Sequence, residues 1–598
     1  MNKKFKSLAL GLALSLTLGA CSGQTKTVDK TSTEGSQVET TSQSGEFEGK
    51  ADGYAGEILA KVKLEDGKIK EIETEENETD TIGHIAIEKL TDEIVEKNSL
   101  DVESVSGATV SSTAFLEAIK AALDSAGLKP EDLQANETAD EEALDLDQEA
   151  QVVVVGAGGA GLTSAIKLAQ EGVDVLVLEK AEIPGGNTSR ASAGMNAAET
   201  HYQEEQGVED SVDQFVEDTM KGGKELNNKE LVEKMAKDSS KAIDWLDSID
   251  APLKELKFSG GATNMRTHAA LTEDGKSRPV GSYLIEKLTA KADDLGIKTI
   301  YGAQVDKILM EEGKAAGVEA ETKDGKLTVK ADAVIVATGG FGGSMDRVKE
   351  YRSDLDGYVS TNVSSVTGDA IDFLGEVDAN FIDMDQIQIH PTVMQTDGSL
   401  ISEGLRGEGA ILVNQDGKRF INELETRDKV SAAELDQDKP GSWLIVDQKM
   451  MDDSTTIQSY LDKGFLEKAD DVKALAEIIG ADEKTLQETL ENWTSYVKAN
   501  KDDEFDRQGL DAVKSDLSST PYYVVNVAPG IHHTMGGVEV NTNSEVLDKD
   551  HSPIAGLYAA GEVTGGIHGG NRLGGNAVTD IVVFGLNAAE NAKAFIEQ

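Results

Sequence analysis

QVVVVGAGGAGLTSAIKLAQEGVDVLVLEK, residues 151–180, is the part of the chain from which the architecture can be built. Val152 to Val155 run as a strand straight into a glycine turn, a helical run follows, and VLVL starts a second strand. Gly156, Gly158 and Gly161 form G-x-G-x-x-G, and Glu179 ends the second strand 23 residues beyond Gly156. Such glycines let the backbone approach a pyrophosphate at a helix N-terminus, and the carboxylate accepts from a ribose hydroxyl. Strand, turn, helix and strand together predict the opening unit of a Rossmann-like α/β dinucleotide-binding sheet.

Upstream lies KPEDLQANETADEEALDLDQE, an acidic linker over 129–149 with Pro130 near its start. Before it, GYAGEILAKVKLEDGKIKEIE alternates apolar and polar residues about Asp66-Gly67, which predicts a β-hairpin. Helical periods follow in HIAIEKLTDEIVEK and TAFLEAIKAALDSAG, the second helix starting near Ser112, so residues 46–128 read as a small α+β domain. Residues 21–45 are rich in Ser, Thr, Gly and Gln and read as a flexible tether. At the very start, Lys3, Lys4 and Lys6 precede an apolar run from Leu8 to Ala20, too short to span a bilayer and suited to a signal peptide over 1–20. The LGAC that closes it matches the lipobox of bacterial lipoproteins, which makes Cys21 the expected lipid-bearing residue and the membrane a partner through that anchor.

With 598 residues the chain is expected to hold three or four domains. Lys plus Arg number 57 against 110 Asp plus Glu, so nucleic acid is disfavoured as a partner. Cys21 is the single cysteine, which excludes an internal disulfide, a Cys-ligated iron–sulfur cluster and a C-x-x-C-H haem site. The histidines are scattered and no metal site is expected, so electrons should travel on organic cofactors.

Three later segments, IPGGNTSRASAGMN from Ile183, ATGGFGG from Ala337 and GLYAAGEVTGG from Gly556, resemble the succinate dehydrogenase and fumarate reductase flavoprotein family over about residues 150–598. The resemblance implies non-covalent FAD, held by Gly186, Asn187, Thr188, Gly194, Gly339 and Glu562 together with Gly156, Gly158, Gly161 and Glu179. In the small domain, ESVSGATVSS (Glu103 to Ser112) is similar to the target of flavin transferases in FMN-binding domains, with Glu103 where aspartate is usual. That likeness implies covalent FMN on Thr109 through a phosphoester; the other reading is an ordinary Ser/Gly turn that caps the following helix.

His390 in QIQIHPT, Ser402, Glu403 and Arg406 in SEGLR, Arg427 in TRD, His532 in GIHHTMGG and Arg572 in NRLGGNA follow the order of the soluble, flavocytochrome-type fumarate reductases. Reducing a carbon–carbon double bond conjugated to a carboxylate needs hydride on one carbon, a proton on its neighbour, and fixed cations to polarise the acid. The resemblance implies that Arg572 and His532 hold one carboxylate and that His390 and Ser402 hold the other. It also implies that Arg427 donates the proton, refilled through Glu403 and Arg406, or else acts as an electrostatic clamp. Arg419, in the GKRF turn, is expected to be a solvated hairpin or structural residue, His533 to lie behind His532, and His268 and His568 to be structural or to contact flavin.

The expected protein is an extracytoplasmic, lipid-anchored fumarate reductase, with an FAD-binding domain in two parts (150–393 and 527–598) and a capping domain between them (394–526). A membrane-side donor would supply electrons to FMN, which pass to FAD and leave as hydride to fumarate. The alternatives are reduction of another unsaturated acid such as urocanate or a cinnamate-like compound, a dehydrogenase working in reverse, and a flavin electron-carrier lipoprotein with no substrate.

Overall fold

A computed structural model describes residues 44–598 except 54–55, 77, 79–82, 103, 106–107, 137–145, 273–274 and 440. The expected signal peptide, Cys21 and nearly all of the tether lie outside the described residues, as do Glu103, Ser106, Gly107 and the middle of the acidic linker.

The small domain is a three-stranded antiparallel sheet, β1 (Gly45–Asp52), β2 (Glu57–Glu65) and β3 (Lys68–Glu75), with helices α1 (Gly83–Lys97) and α2 (Thr109–Ser125). The hairpin turns at Asp66 and Gly67, whose positive φ angles suit a tight reversal. Two features differ from the sequence reading. Strand β1 begins where the tether was expected to end, and α2 starts at Thr109 rather than near Ser112. Strand β1 turns Phe47, Gly49 and Ala51 inward under α2: a Cβ at Gly49 would come within 2.1 Å of the Ala118 carbonyl oxygen. Ile58, Val62, Leu64, Ile87, Leu90, Phe115 and Ile119 form the core, and Ile183, from the loop after the second strand of the larger sheet, joins it. Burial of each large side chain contributes roughly 1.5–3 kcal/mol.

The large sheet is built on β4 (Asp147–Val155), followed by α3 (Gly159–Gln170), β5 (Val175–Leu178) and, far downstream, β6 (Gly325–Val336). β4 lies between β5 and β6 and runs parallel to both, with Val155 opposite Leu178 and Val336. This register brings Gly156, Glu179 and Ala337 together at the carboxyl ends of three adjacent strands, the crevice where α/β sheets bind ligands. The helix Asn576–Ile596 returns to pack on α3.

A second core, centred on Ile411, Val430, Ile445, Trp493 and Val525, forms a separate lobe. Its sheet contains β7 (Ile387–Val393), joined through the short helix α4 (Gly404–Glu408) and helix α5 (Arg427–Leu435) to β8 (Ser442–Asp447) and β9 (Tyr522–Thr534). β7 pairs antiparallel with β9, and α5 packs on β7. Among the described residues, no helix is long and apolar enough to cross a membrane.

Candidate active site

One cavity of about 1190 Å³ runs from the glycine turn, past β7 and β9, to the small domain. At the first end, Gly158 caps the N-terminus of α3. Gly161 is required for packing, since a Cβ there would lie 1.9 Å from the Gly156 carbonyl oxygen. Gly158 lines the cavity, and a Cβ there would meet only the Gly185 carbonyl oxygen, at 3.8 Å. Glu179 accepts from the amides of Ala157 and Ala181, both at 2.7 Å. Burial pushes its carboxyl up, and these two amides oppose the shift. Further along, Asn187 donates to Glu562 at 3.1 Å and accepts from the Val363 amide at 3.0 Å. Glu562 accepts from the Thr534 amide at 3.0 Å. Gly186, Thr188, Gly194 and Gly339 line the same wall. The buried Thr338 hydroxyl, also on this wall, has no partner among the described residues. A bare helix N-terminus, a ribose-height carboxylate and a long cavity with a free hydroxyl fit an adenine dinucleotide such as FAD.

The middle of the cavity holds a cationic cluster. His390, Glu403, Arg427, His532 and Arg572 line it, although 182 residues separate the first from the last in sequence. Arg427, the first residue of α5, donates from Nε to Glu403 Oε2 at 2.6 Å and places Nη2 2.5 Å from the same oxygen. Its Nη1 donates to Gln388 Oε1 at 2.9 Å, and Gln388 in turn donates to the Arg572 carbonyl at 2.7 Å. Arg406 does not line the cavity. It is fully buried behind Glu403, with Nη2 3.8 Å from Glu403 Oε1 and Nη1 donating to the Glu423 carbonyl. Ser402 is likewise not brought into the cleft: its hydroxyl accepts from Ser192 at 3.0 Å and from the Gly404 amide at 3.2 Å.

His390 and His532 stand edge to face, ring centroids 5.0 Å apart, on neighbouring strands. The pairing slips at this point, with Gln388 opposite His533 and Ile389 opposite Ile531, so His532 is the extra residue of a bulge. The bulge allows His532 and His533 both to line the cavity. The Thr392 amide donates to His390 Nδ1 at 3.2 Å, which requires the neutral ring to carry its proton on Nε2. That Nε2 has no hydrogen-bond partner among the described residues, and neither has Arg572 Nε.

Electrostatics keep the imidazoles neutral. Burial, with Arg427 beside it, pushes His390 down to about 3. Burial and the same arginine hold His532 well below the usual range, and burial and Arg572 do so for His533. Burial alone would raise Glu403, but Arg427, His390 and Arg406 hold it well below the usual carboxylate range. Arg572 is lowered to about 9, first by burial and then by Arg427.

Of the two expectations for Arg419, a solvated hairpin residue or a structural one, the structure has the second. It is 4% exposed, forms a bidentate pair with Glu423 at 2.7 and 2.8 Å, and donates to Asp502 at 2.9 Å. Its guanidinium lies over the rings of Trp493 and Phe505, which cover it from water. His268 is buried against Thr200 and the Arg266 carbonyl, away from the cavity. His568 lies 3.2 Å from Asp580 and packs edge to face on His533. Gln388, Glu423 and Arg507, none of them singled out from the sequence, hold the cluster from behind. Only their spatial neighbours mark them.

At the far end, Gly53, Glu78, Ala108, Val110 and Ser111 of the small domain line the same cavity. The first turn of α2, with Thr109 as its first residue, therefore opens toward the dinucleotide seat.

Comparison with known proteins agrees with these features. The FAD binding domain family matches residues 151–578 and the FMN-binding domain family matches residues 53–124. An NADH:fumarate oxidoreductase of Klebsiella pneumoniae is 41% identical over 540 residues, 90% of this chain and 57% of that protein, so the chain spans little more than half of that relative. A urocanate reductase of Eggerthella lenta is 35% identical over 98% of this chain and 97% of its own length. Among solved structures, the open conformation of a flavocytochrome c3 fumarate reductase matches with a TM-score of 0.62 and 41% identity, covering 75% of this chain and 79% of that one.

Proposed function

The chain belongs to the FAD-dependent fumarate reductase flavoprotein family and carries an FMN-binding domain, and from that premise we propose that it reduces fumarate to succinate. One observation carries the choice of substrate. Arg427 and Arg572 line the cleft with His390 and His532, whose imidazoles are neutral, and Arg572 Nε and His390 Nε2 lack hydrogen-bond partners among the described residues. Two cations and two free N–H donors on one cleft suit the two carboxylates of a dianion.

Bound FAD would supply hydride, and FMN, joined by a phosphoester to Thr109 by a flavin transferase, would supply the electrons. The N-terminus of the 17-residue α2 would favour that phosphate. Arg572, with its free Nε, and His532 would grip one carboxylate. His532 Nδ1 lies 2.7 Å from the Thr361 hydroxyl, which orients the ring toward the cleft. The unpartnered Nε2–H of His390 would take the other carboxylate. Ser402 would join it once the lobe closes and its hydroxyl leaves Ser192, which lies across the cleft. Arg427, fixed on three donor atoms, would hand a proton to the carbon next to the one receiving hydride. Glu403 and Arg406 would replace it.

The lobe over 394–526 would act as the cap. Cys21 would carry a lipid that holds the protein on the extracytoplasmic face of the cell membrane, near its electron donor. Urocanate is the second reading, favoured by the Eggerthella relative that matches the chain end to end. Its ring would leave the His390 donor unanswered. An anaerobic assay with a reduced dye and a panel of fumarate, urocanate and cinnamate tests the reading. Fumarate should be consumed fastest; fumarate untouched while urocanate is reduced would overturn it.

A further inference from the structure

Glu403 and Arg406 ride on one short helix, α4, and that helix is held from outside its own lobe. Glu403 caps its N-terminus, Arg406 lies within it and Glu408 ends it, while Leu405 anchors it in the second core. Alongside runs the segment 255–260, whose strand Glu255–Lys257 pairs with Thr267–Leu271 and belongs to a different sheet from that of the lobe. The two stretches touch at three places, in opposite chain directions. Lys257 donates to Glu408 Oε1 at 2.9 Å. A Cβ on Gly407 would lie 3.0 Å from the Phe258 carbonyl oxygen. A Cβ on Gly260 would lie 2.6 Å from Glu403 Oε1, the oxygen 3.8 Å from Arg406 Nη2. On the other side of the carboxylate, a Cβ on Gly574 would lie 3.0 Å from Oε2, the oxygen that accepts from Arg427. Neither Gly260 nor Gly574 has a positive φ, so what the two positions need from glycine is room for the carboxylate.

We propose that Lys257 and Gly260 are positioning residues for proton delivery. Lys257 fixes the end of α4 at Glu408, and Gly260, with Gly574 opposite, forms the slot that sets the Glu403 carboxylate between Arg406 and Arg427. The proposal rests on the relay reading of Glu403, Arg406 and Arg427 given above.

Four charges that alternate in sign span the boundary, two from each side. Lys257 lies 3.2 Å from Glu255 on its own side, and Lys514 of the lobe lies 3.1 Å from Glu255 and 3.4 Å from Glu408. Lys257 also donates to the Ser277 hydroxyl at 3.0 Å, which fixes its ammonium. The Lys257–Glu408 pair is largely buried, so salt screens it little. Removing Lys257 leaves Glu408 with Lys514, a partner in its own lobe, so the change loosens α4 from segment 255–260 without stranding a buried charge. Gly260 acts at closer range. Non-bonded heavy atoms rest at about 3.5–4 Å, so a methyl on Gly260 and Glu403 Oε1 must part by about 1 Å. Proton transfer needs donor and acceptor within hydrogen-bond reach, and a misplacement of about 1 Å costs on the order of a hundredfold in rate.

The test compares flavin-loaded full-length wild type, Gly260→Ala, Lys257→Met and Lys257→Arg on whichever unsaturated acid the wild type reduces. Gly260→Ala should lower kcat on the order of a hundredfold and Lys257→Met about tenfold. KM should stay unchanged in both, because neither residue lines the large cavity. Both should raise the solvent deuterium isotope effect on kcat, since proton transfer becomes the slower step. Lys257→Arg keeps the charge and should recover most of the rate. Flavin absorbance and melting temperature establish folding; if Gly260→Ala does not fold, the Lys257 pair decides. Wild-type kcat in folded Gly260→Ala or in Lys257→Met would overturn the proposal, as would equal losses in Lys257→Met and Lys257→Arg, or an isotope effect that does not move. Wild-type kcat in Arg427→Ala would sink the relay reading and this proposal with it. A slow Arg427→Ala beside fast Gly260→Ala and Lys257→Met would sink this proposal alone.

Discussion

Two groups of buried arginines adjoin one another, and they are built to opposite rules. Arg419 and Arg507 face Glu423 and Asp502, with Glu504 3.8 Å from Arg419 as well, and both guanidiniums stack on Trp493, at 4.9 and 4.6 Å. Arg406, Arg427 and Arg572 share Glu403, and several of their donors are free. The groups touch: Arg507 donates to the Arg406 carbonyl, and Arg406 donates to that of Glu423. A matched buried network fixes backbone, because removing one partner strands a charge. An unmatched one, opening on a cavity, holds a place for a ligand of opposite sign. The balanced group is therefore the base on which the unbalanced group is aimed.

The largest difference in substrate binding should come from Arg572→Ala. With two donors to a carboxylate removed, KM for fumarate should rise on the order of a hundredfold in steady-state assays, while the melting temperature shifts little. An unchanged KM would place the dianion elsewhere and break the comparison.

Acid titration separates the groups more gently. His390 falls from an unfolded value of about 6.5 to about 3, so the unfolded chain takes up its proton first, and the stability present above 6.5 is lost as pH falls through that window. His532 and His533 share the sign. Glu423 and Asp502 are held low by Arg419 against burial, so their stability is present above about 4 and lost only below it. Melting temperature against pH should fall in two stages, and His390→Gln should shrink the first alone. A single stage below about 4 in both proteins would contradict this assignment.

The sequence already displayed what depends on near neighbours. G-x-G-x-x-G followed by Glu179, and the Asp66-Gly67 hairpin, are read within a few residues because turn chemistry is local. The functional residues before and after the lobe were legible through their order along the chain, although not their distances. Arg419 was left between a solvated and a structural reading because its burial depends on Asp502, 83 residues away, and on Trp493. The bulge at His532 and the Arg427–Gln388–Arg572 link arise from strand register, which has no mark in the residues themselves. β1 escaped notice because two of its three inward residues, Gly49 and Ala51, are small enough to lie under a helix and so give a weak apolar signal.

The most direct measurement sets Arg427→Ala beside Arg419→Ala, with fumarate kcat/KM expressed per folded, flavin-loaded molecule. The account predicts a loss of about a thousandfold or more in Arg427→Ala. It predicts near wild-type activity per folded molecule in Arg419→Ala, together with a stability loss of about 3–5 kcal/mol. Equal activities in the two variants, or the larger catalytic loss in Arg419→Ala, would contradict it.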